Sequence, residues 1–189
     1  MRDPASVEYP RTVSEIDYPR LKDHPAGSYD KGRGKLWQAA WMLCLGLFFT
    51  KWWFPRRFRP TVLRIFGATI GQNVTFRQNA RVQWPWKLTI GNDVWIGEDS
   101  WLYNTDQITI GSDVCISQGA FLIAGGHVHS EPGFPVNLGS ITVKDGAWLC
   151  AESMVLREVT IGTGAVIGAR AIAARDVPDG GVIRRGESN

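Results

Sequence analysis

The sequence predicts an all-β protein: a parallel β-helix of hexapeptide repeats, preceded by a polar arm and one short apolar helix. Three observations predict it. Large, mostly aliphatic residues recur every sixth position in the triplets Ile70-Phe76-Val82, Ile90-Ile96-Leu102, Ile110-Ile116-Leu122, Val143-Leu149-Val155 and Ile161-Ile167-Ala173. A small or apolar residue falls four places after most of them, as at Val74, Ala80, Val94, Ser100, Ala120, Ser153 and Ala165. No amphipathic stretch of helical length separates these units, as a βαβ alternation would require.

The first element is residues 1–69. Residues 1–35 are polar and punctuated by Pro4, Pro10, Pro19, Pro25, Gly27, Gly32 and Gly34, so they read as an irregular arm. From Leu36 to Phe49 the chain is apolar without a charge, and Lys51, Trp52, Trp53 and Phe54 follow. Fourteen helical residues rise about 21 Å, short of a hydrocarbon core of roughly 30 Å. The segment therefore reads as an interfacial helix or as one packed on the repeat. Charge divides unevenly. The net charge is +3, yet Lys31 to Arg64 holds eight basic residues and no acid. That balance suits an anionic surface, and a peripheral membrane contact through 31–64 is expected. No nucleic-acid partner is expected.

The second element, 70–178, is the coil. Three hexapeptides close one triangular turn, each large residue pointing into the tube and each small residue sitting near a corner. One turn cannot bury its own aliphatics, so stability comes from stacking. Gly often follows the first aliphatic, as at Gly71, Gly91 and Gly111, and reads together with Asn as tolerance of positive φ at the turn. Two early steps span 20 residues, from Ile70 to Ile90 and on to Ile110. The extra positions carry Leu88 and Ile108, which extend a strand. Residues 179–189 are the tail.

Cys44, Cys115 and Cys150 form no disulfide framework and no CxxC pattern, which points to a reducing compartment. The polar N-terminus lacks the apolar core of a signal peptide. A cytoplasmic location is expected, with the membrane contact on the inner face of the cytoplasmic membrane.

The one large break in the repeat lies at 128–140. His127 ends the hexapeptide begun at Leu122, and the next residue in phase is Val143. Two of the chain's three histidines, His127 and His129, stand there; the third, His24, lies in the arm. A loop thrown from a rigid scaffold is where sites form, and an imidazole at its root can serve as a general base.

The segments FGATIG, WPWKLTIGNDVWIG, LYNTDQITIG, CISQGAFL, GGHVHSEPGFPV and GAWLCAESMV, in that order, resemble the hexapeptide-repeat acetyltransferases of the colanic acid and exopolysaccharide biosynthesis type. More distantly the chain is similar to the maltose and galactoside O-acetyltransferases. The resemblance implies a left-handed coil, a homotrimer, acetyl-CoA as donor and a small or lipid-linked saccharide as acceptor. It implies that His127 is the catalytic base. Where such proteins carry an acid after this histidine, the chain has Val128; Glu131 or a backbone carbonyl is then the expected orienter of the ring. Asn104 and His129 are implied on the acceptor side. The N–H groups of Ala151 and Ala169 are implied at the thioester and pantetheine, and Arg175 near the nucleotide, with Arg170, Arg184 and Arg185 as further cations. The tail from Gly186 departs from the usual pattern. No catalytic metal is expected, since a three-histidine zinc site lacks its third coil histidine. A non-catalytic β-helix scaffold and a non-sugar acceptor are the competing readings.

Overall fold

The structure is a computed structural model and describes residues 29–128, 131 and 134–187. Among them, 30–126 and 137–187 form one compact unit, and Tyr29 with 127–136 belongs to another.

The larger unit is the expected parallel β-helix. Its first sheet stacks Thr69–Ile70, Leu88–Ile90, Ile108–Ile110, Ile141–Val143 and Thr160–Ile161. The second stacks six strands: Thr75–Phe76, Trp95–Ile96, Cys115–Ile116, Trp148–Leu149, Val166–Ile167 and Val182–Ile183. The third stacks Arg81–Val82, Trp101–Tyr103, Phe121–Ile123, Met154–Val155 and Ile172–Ala173. Register places like on like: Ile96 pairs with Ile116, which pairs with Leu149. Ile96, Ile116, Leu149 and Ile167 are all 0% exposed, so each aliphatic is covered from both sides. Each such burial is worth roughly 1.5–3 kcal/mol, and only stacked rungs collect it. Leu88 and Ile108 extend their strands inward as expected and are buried.

The structure corrects the reading of the glycines. Positive φ falls further along each corner, at Asn73 (54°), Asp93 (58°) and Asp113 (57°), whereas Gly71 and Gly91 have ordinary φ. Gly71 is required because a Cβ there would lie 2.4 Å from the Gly91 carbonyl oxygen of the next rung. The aliphatic–Gly step thus serves close stacking of backbones and not a left-handed turn.

Beyond Ala173 only 174–176 separate the third sheet from Val177, which bridges to Ile161. That shortened corner advances the phase by two residues, and six positions later Ile183 enters the second sheet.

The apolar segment is helical but not one regular helix. α1 (Lys35–Cys44) continues into a π-helical turn at Leu45–Phe49, and α2 (Arg59–Ile65) follows. Side chains eight apart on an α-helix diverge by about 80°. The wider π turn narrows that angle, so Trp41 and Phe49 both face the first rung, 0% and 1% exposed. Trp41 Nε1 donates to the carbonyls of Val82 (3.2 Å) and Gln83 (3.0 Å), and the Phe49 ring lies 5.8 Å from that of Phe76. One side of the segment therefore closes the start of the coil.

Candidate active site

Each rung turns three corners. The corners between the first and second sheets and between the second and third are four residues long in every rung, for example 91–94 and 97–100. The corner between the third and first sheets varies: it is formed by 83–87, 104–107, 124–140, 156–159 and 174–176. His127, Asn104 and Arg175 all fall at this variable corner.

The longest of these corners is a hairpin. Gly125–His127 and Val136–Leu138 pair as a two-stranded ribbon, so the excursion expected as a plain loop is strand-rooted. Val128 N–H donates to the Pro135 carbonyl at 3.0 Å, and Gly139 N–H to that of Ala124 at 3.0 Å. A Cβ at Gly125 would lie 2.2 Å from Thr105 Oγ1, so only glycine fits at this root.

His127 ends the first strand and is exposed. Its Nδ1 lies 2.9 Å from the Phe134 carbonyl oxygen. The Phe134 ring stacks on the imidazole, centroids 4.4 Å apart and planes 4° from parallel. A carbonyl only accepts, so Nδ1 carries the hydrogen in this contact. Phe134 adopts φ 50°, an uncommon conformation for a large side chain. Glu131 is exposed, and its backbone closes the turn: its carbonyl accepts from Phe134 N–H at 3.1 Å. His129 and His24 lie outside the described residues.

Asn104 is 0% exposed. Its Oδ1 accepts from the N–H groups of Gln83 (2.9 Å) and Trp84 (3.0 Å), and its Nδ2 donates to the carbonyls of Trp84 and Lys87, the latter at 3.0 Å. One amide thus holds the whole of the 83–87 corner, where Trp84 and Trp86 stack with centroids 5.1 Å apart. Two further buried polar atoms at this corner have no partner among the described residues, Thr105 Oγ1 and Arg157 Nε. Arg157 Nη1 comes within 3.7 Å of where a Gly126 Cβ would stand. The sequence offered no signal for Arg157, an arginine in an otherwise ordinary repeat.

Ala151 and Ala169 occupy equivalent places on the corner after the second sheet, one rung apart, because Leu149 pairs with Ile167. Neither N–H donates to a described residue, although the Ala151 carbonyl accepts from Arg170 N–H at 3.0 Å. Ala169 is exposed. Glu152 and Arg170, the next residue in each rung, pair at 2.5 Å. The hydrogen bond from Arg170, then its charge, holds the Glu152 carboxyl below its ordinary range. Arg184 pairs with Glu187 at 3.6 Å, and Arg175 is exposed. Among the described residues no three His, Cys, Asp or Glu side chains converge as a metal site would need.

No family model matches the sequence. Over 135 residues the chain is 40% identical to an Escherichia coli protein assigned to colanic acid biosynthesis as an acetyltransferase, WcaF, covering 70% of this chain and 74% of that one. The Shigella flexneri counterpart matches equally. A hexapeptide-repeat acetyltransferase of Vibrio cholerae, solved with acetyl-CoA, superposes with a TM-score of 0.71 at 16% identity over 82% of this chain and 87% of that one. A maltose O-acetyltransferase of Clostridium difficile gives 0.67 at 18% identity over 80% and 84%. A galactoside acetyltransferase in complex with coenzyme A gives 0.65 at 22% identity over 79% and 76%. These structures share the coil; the E. coli relative shares sequence across most of both chains. The chain belongs to the hexapeptide-repeat acetyltransferases of the colanic acid biosynthesis type.

Proposed function

We propose that this protein transfers an acetyl group from acetyl-CoA to a hydroxyl of a sugar, a saccharide precursor of an exopolysaccharide or a lipid-linked one, with His127 as general base. The observation that carries this reading is the contact of His127 Nδ1 with the Phe134 carbonyl. A hydrogen on Nδ1, donated to that carbonyl, supports the reading in which Nε2 is the proton acceptor.

Acetyl-CoA is the donor substrate and supplies the thioester carbonyl that the hydroxyl attacks. Nε2 of His127 takes the hydroxyl proton as the new C–O bond forms, and it returns that proton to the departing sulfur as the C–S bond breaks. A backbone N–H is the donor best suited to the oxygen that gains charge, because it is already aimed and does not reorganise. Ala151 N–H has that role in this proposal, and Ala169 N–H receives the pantetheine amide. Arg175 meets the nucleotide phosphates. The Phe134 carbonyl does the orienting for which Glu131 was the alternative. Asn104 has its hydrogen-bonding capacity spent on backbone, so it serves the acceptor side as a positioning residue by holding the 83–87 corner. His129 is kept as an acceptor contact. The active assembly is a homotrimer in this proposal, as the family resemblance implies.

Release of coenzyme A from acetyl-CoA, followed against a panel of mono- and oligosaccharides, tests the proposal. Turnover with at least one sugar is expected. Absence of turnover with every acceptor, together with no binding of coenzyme A, would leave the scaffold reading in its place.

A further inference from the structure

The second face of the α1 segment has no partner in the described chain. Trp41 and Phe49 face the coil, while Leu36 (90% exposed), Leu43 (63%), Leu47 (56%) and Trp52 (81%) face outward. Leu36, Leu43 and Leu47 are spaced seven and four apart and share one helical stripe with Ala40, also exposed. No charge interrupts the chain between Lys35 and Lys51. A contiguous apolar surface of this kind on a folded domain marks a contact site.

What borders the stripe identifies the occupant. Lys35 lies at one end; Lys51, Arg56 and Arg57 lie at the other, all exposed. Beside Trp52 opens a small pocket of about 160 Å³, lined by Trp52, Phe54, Arg56, Arg59 and Arg77. Arg59 is 2% exposed and forms no ion pair with a described acid; its guanidinium donates to the carbonyls of Phe49 (3.0 Å), Phe76 (2.9 Å) and Lys51 (2.7 Å). Carbonyls orient this cation without neutralising it. Arg77 is compensated by Glu98, with which it pairs at 2.5 Å. The pocket therefore presents net positive charge next to exposed indole and aliphatic groups. A protein partner would ordinarily answer a cationic rim with acids on a fitted surface. A bilayer answers it with phosphate at one depth and hydrocarbon just below, the arrangement this face mirrors. No helix of the described residues is long and apolar enough to cross a membrane, so the contact lies in the plane of the surface.

We propose that this face docks on an anionic phospholipid bilayer: Leu36, Leu43, Leu47 and Trp52 enter the acyl boundary while Arg56, Arg57 and the Arg59 pocket hold lipid phosphodiester groups. The surface shares no residue with those assigned to catalysis, so its test reads separately from that of the acetyl-transfer proposal. It would bring a lipid-linked acceptor to the enzyme by confining both to one surface.

Vesicle flotation with the full-length protein tests it, using phosphatidylcholine alone and phosphatidylcholine mixed with phosphatidylglycerol. Binding to the mixed vesicles is expected, weak binding to the neutral ones, and release as ionic strength rises. R56E/R57E should weaken binding to mixed vesicles on the order of tenfold or more. L43S/L47S should weaken it comparably, and both variants should keep the wild-type circular dichroism and oligomer size. Absence of flotation with the mixed vesicles would overturn the proposal. So would equal binding to both compositions, or a change of oligomer size in L43S/L47S, which would give the face to a second copy of this chain. Competition by inorganic phosphate that abolishes vesicle binding at constant ionic strength would likewise refute it, by making the pocket a site for free phosphate.

Discussion

The coil's corners divide into two kinds. Those flanking the second sheet are four residues long in every rung, and a residue in the left-handed region turns each of them, Asp93 and Asp99 in one rung, Asp113 and Gly119 in the next. The corner between the third and first sheets ranges from 174–176 to 124–140. The regular corners are constrained because an inserted residue would shift every aliphatic behind it out of the tube. The third corner is free to vary because chain that leaves and returns there does so between the end of one rung and the start of the next. Stability and variation are thus assigned to different edges of one prism, and most of the candidate catalytic residues stand on the variable edge.

Substitutions test that contrast, and the largest effect belongs to the tube itself. Ile116→Asp places a charge among Ile96, Leu149 and their neighbours, all 0% exposed. A loss of several kcal/mol is expected, seen as loss of the cooperative thermal transition in circular dichroism. A folded variant would contradict the stacked-rung account. Next comes the variable edge. Asn104→Ala removes four hydrogen bonds to the 83–87 backbone, although the Gln83 N–H keeps the Leu102 carbonyl and the Trp84 carbonyl keeps the Lys87 N–H. A net loss of about 1–3 kcal/mol is expected, seen as a lower midpoint in denaturant unfolding. Then comes Gly97→Ala on a regular corner. Its Cβ would lie 2.5 Å from Gln118 N, and an overpacking cost of roughly 1–3 kcal/mol is expected. Gly164→Ala, with φ 65° and open space around it, should lose about 1 kcal/mol, from backbone conformation alone. Equal losses by thermal melting would undo the distinction between close stacking and turning.

The smallest effect is electrostatic. Asp179 accepts from Thr163 N–H at 2.8 Å and pairs with Lys144 at 3.4 Å. The Thr163 N–H first, and Lys144 second, hold its carboxyl below the ordinary range. A depressed folded pKa means that the stabilisation is present above the unfolded carboxylate value and lost as pH falls through the folded one. Asp179→Asn should therefore flatten the acid side of a melting-temperature profile slightly and leave the neutral side only a little lowered. A variant that melts higher than wild type near neutral pH would contradict this.

Most of the tube was legible in advance, because a period of six with a small residue four places on has few other physical meanings. Ile70 through Ile167 point inward as their spacing requires. The role of the aliphatic–Gly step is not legible, because sequence shows that a Cβ is absent and not which clash its absence avoids. The strand Val182–Ile183 is hidden in the sequence because the short corner at 174–176 moves the phase by two. At the site, His127 could be singled out as the histidine at the break. Its partner could not, since Phe134 lies seven residues away across a hairpin whose pairing has no period. Asn104 reads the same in sequence whether it meets a sugar or a backbone; only its four hydrogen bonds distinguish these roles.

The central claim is that the imidazole of His127, fixed through Nδ1, moves the proton of the acceptor hydroxyl. The direct measurement is steady-state turnover of His127→Ala beside wild type, with a sugar the wild type accepts, and coenzyme A affinity measured on both. The account predicts that kcat falls roughly 10²–10⁴-fold, with coenzyme A affinity and melting behaviour near those of wild type. Turnover within a few-fold of wild type would contradict it.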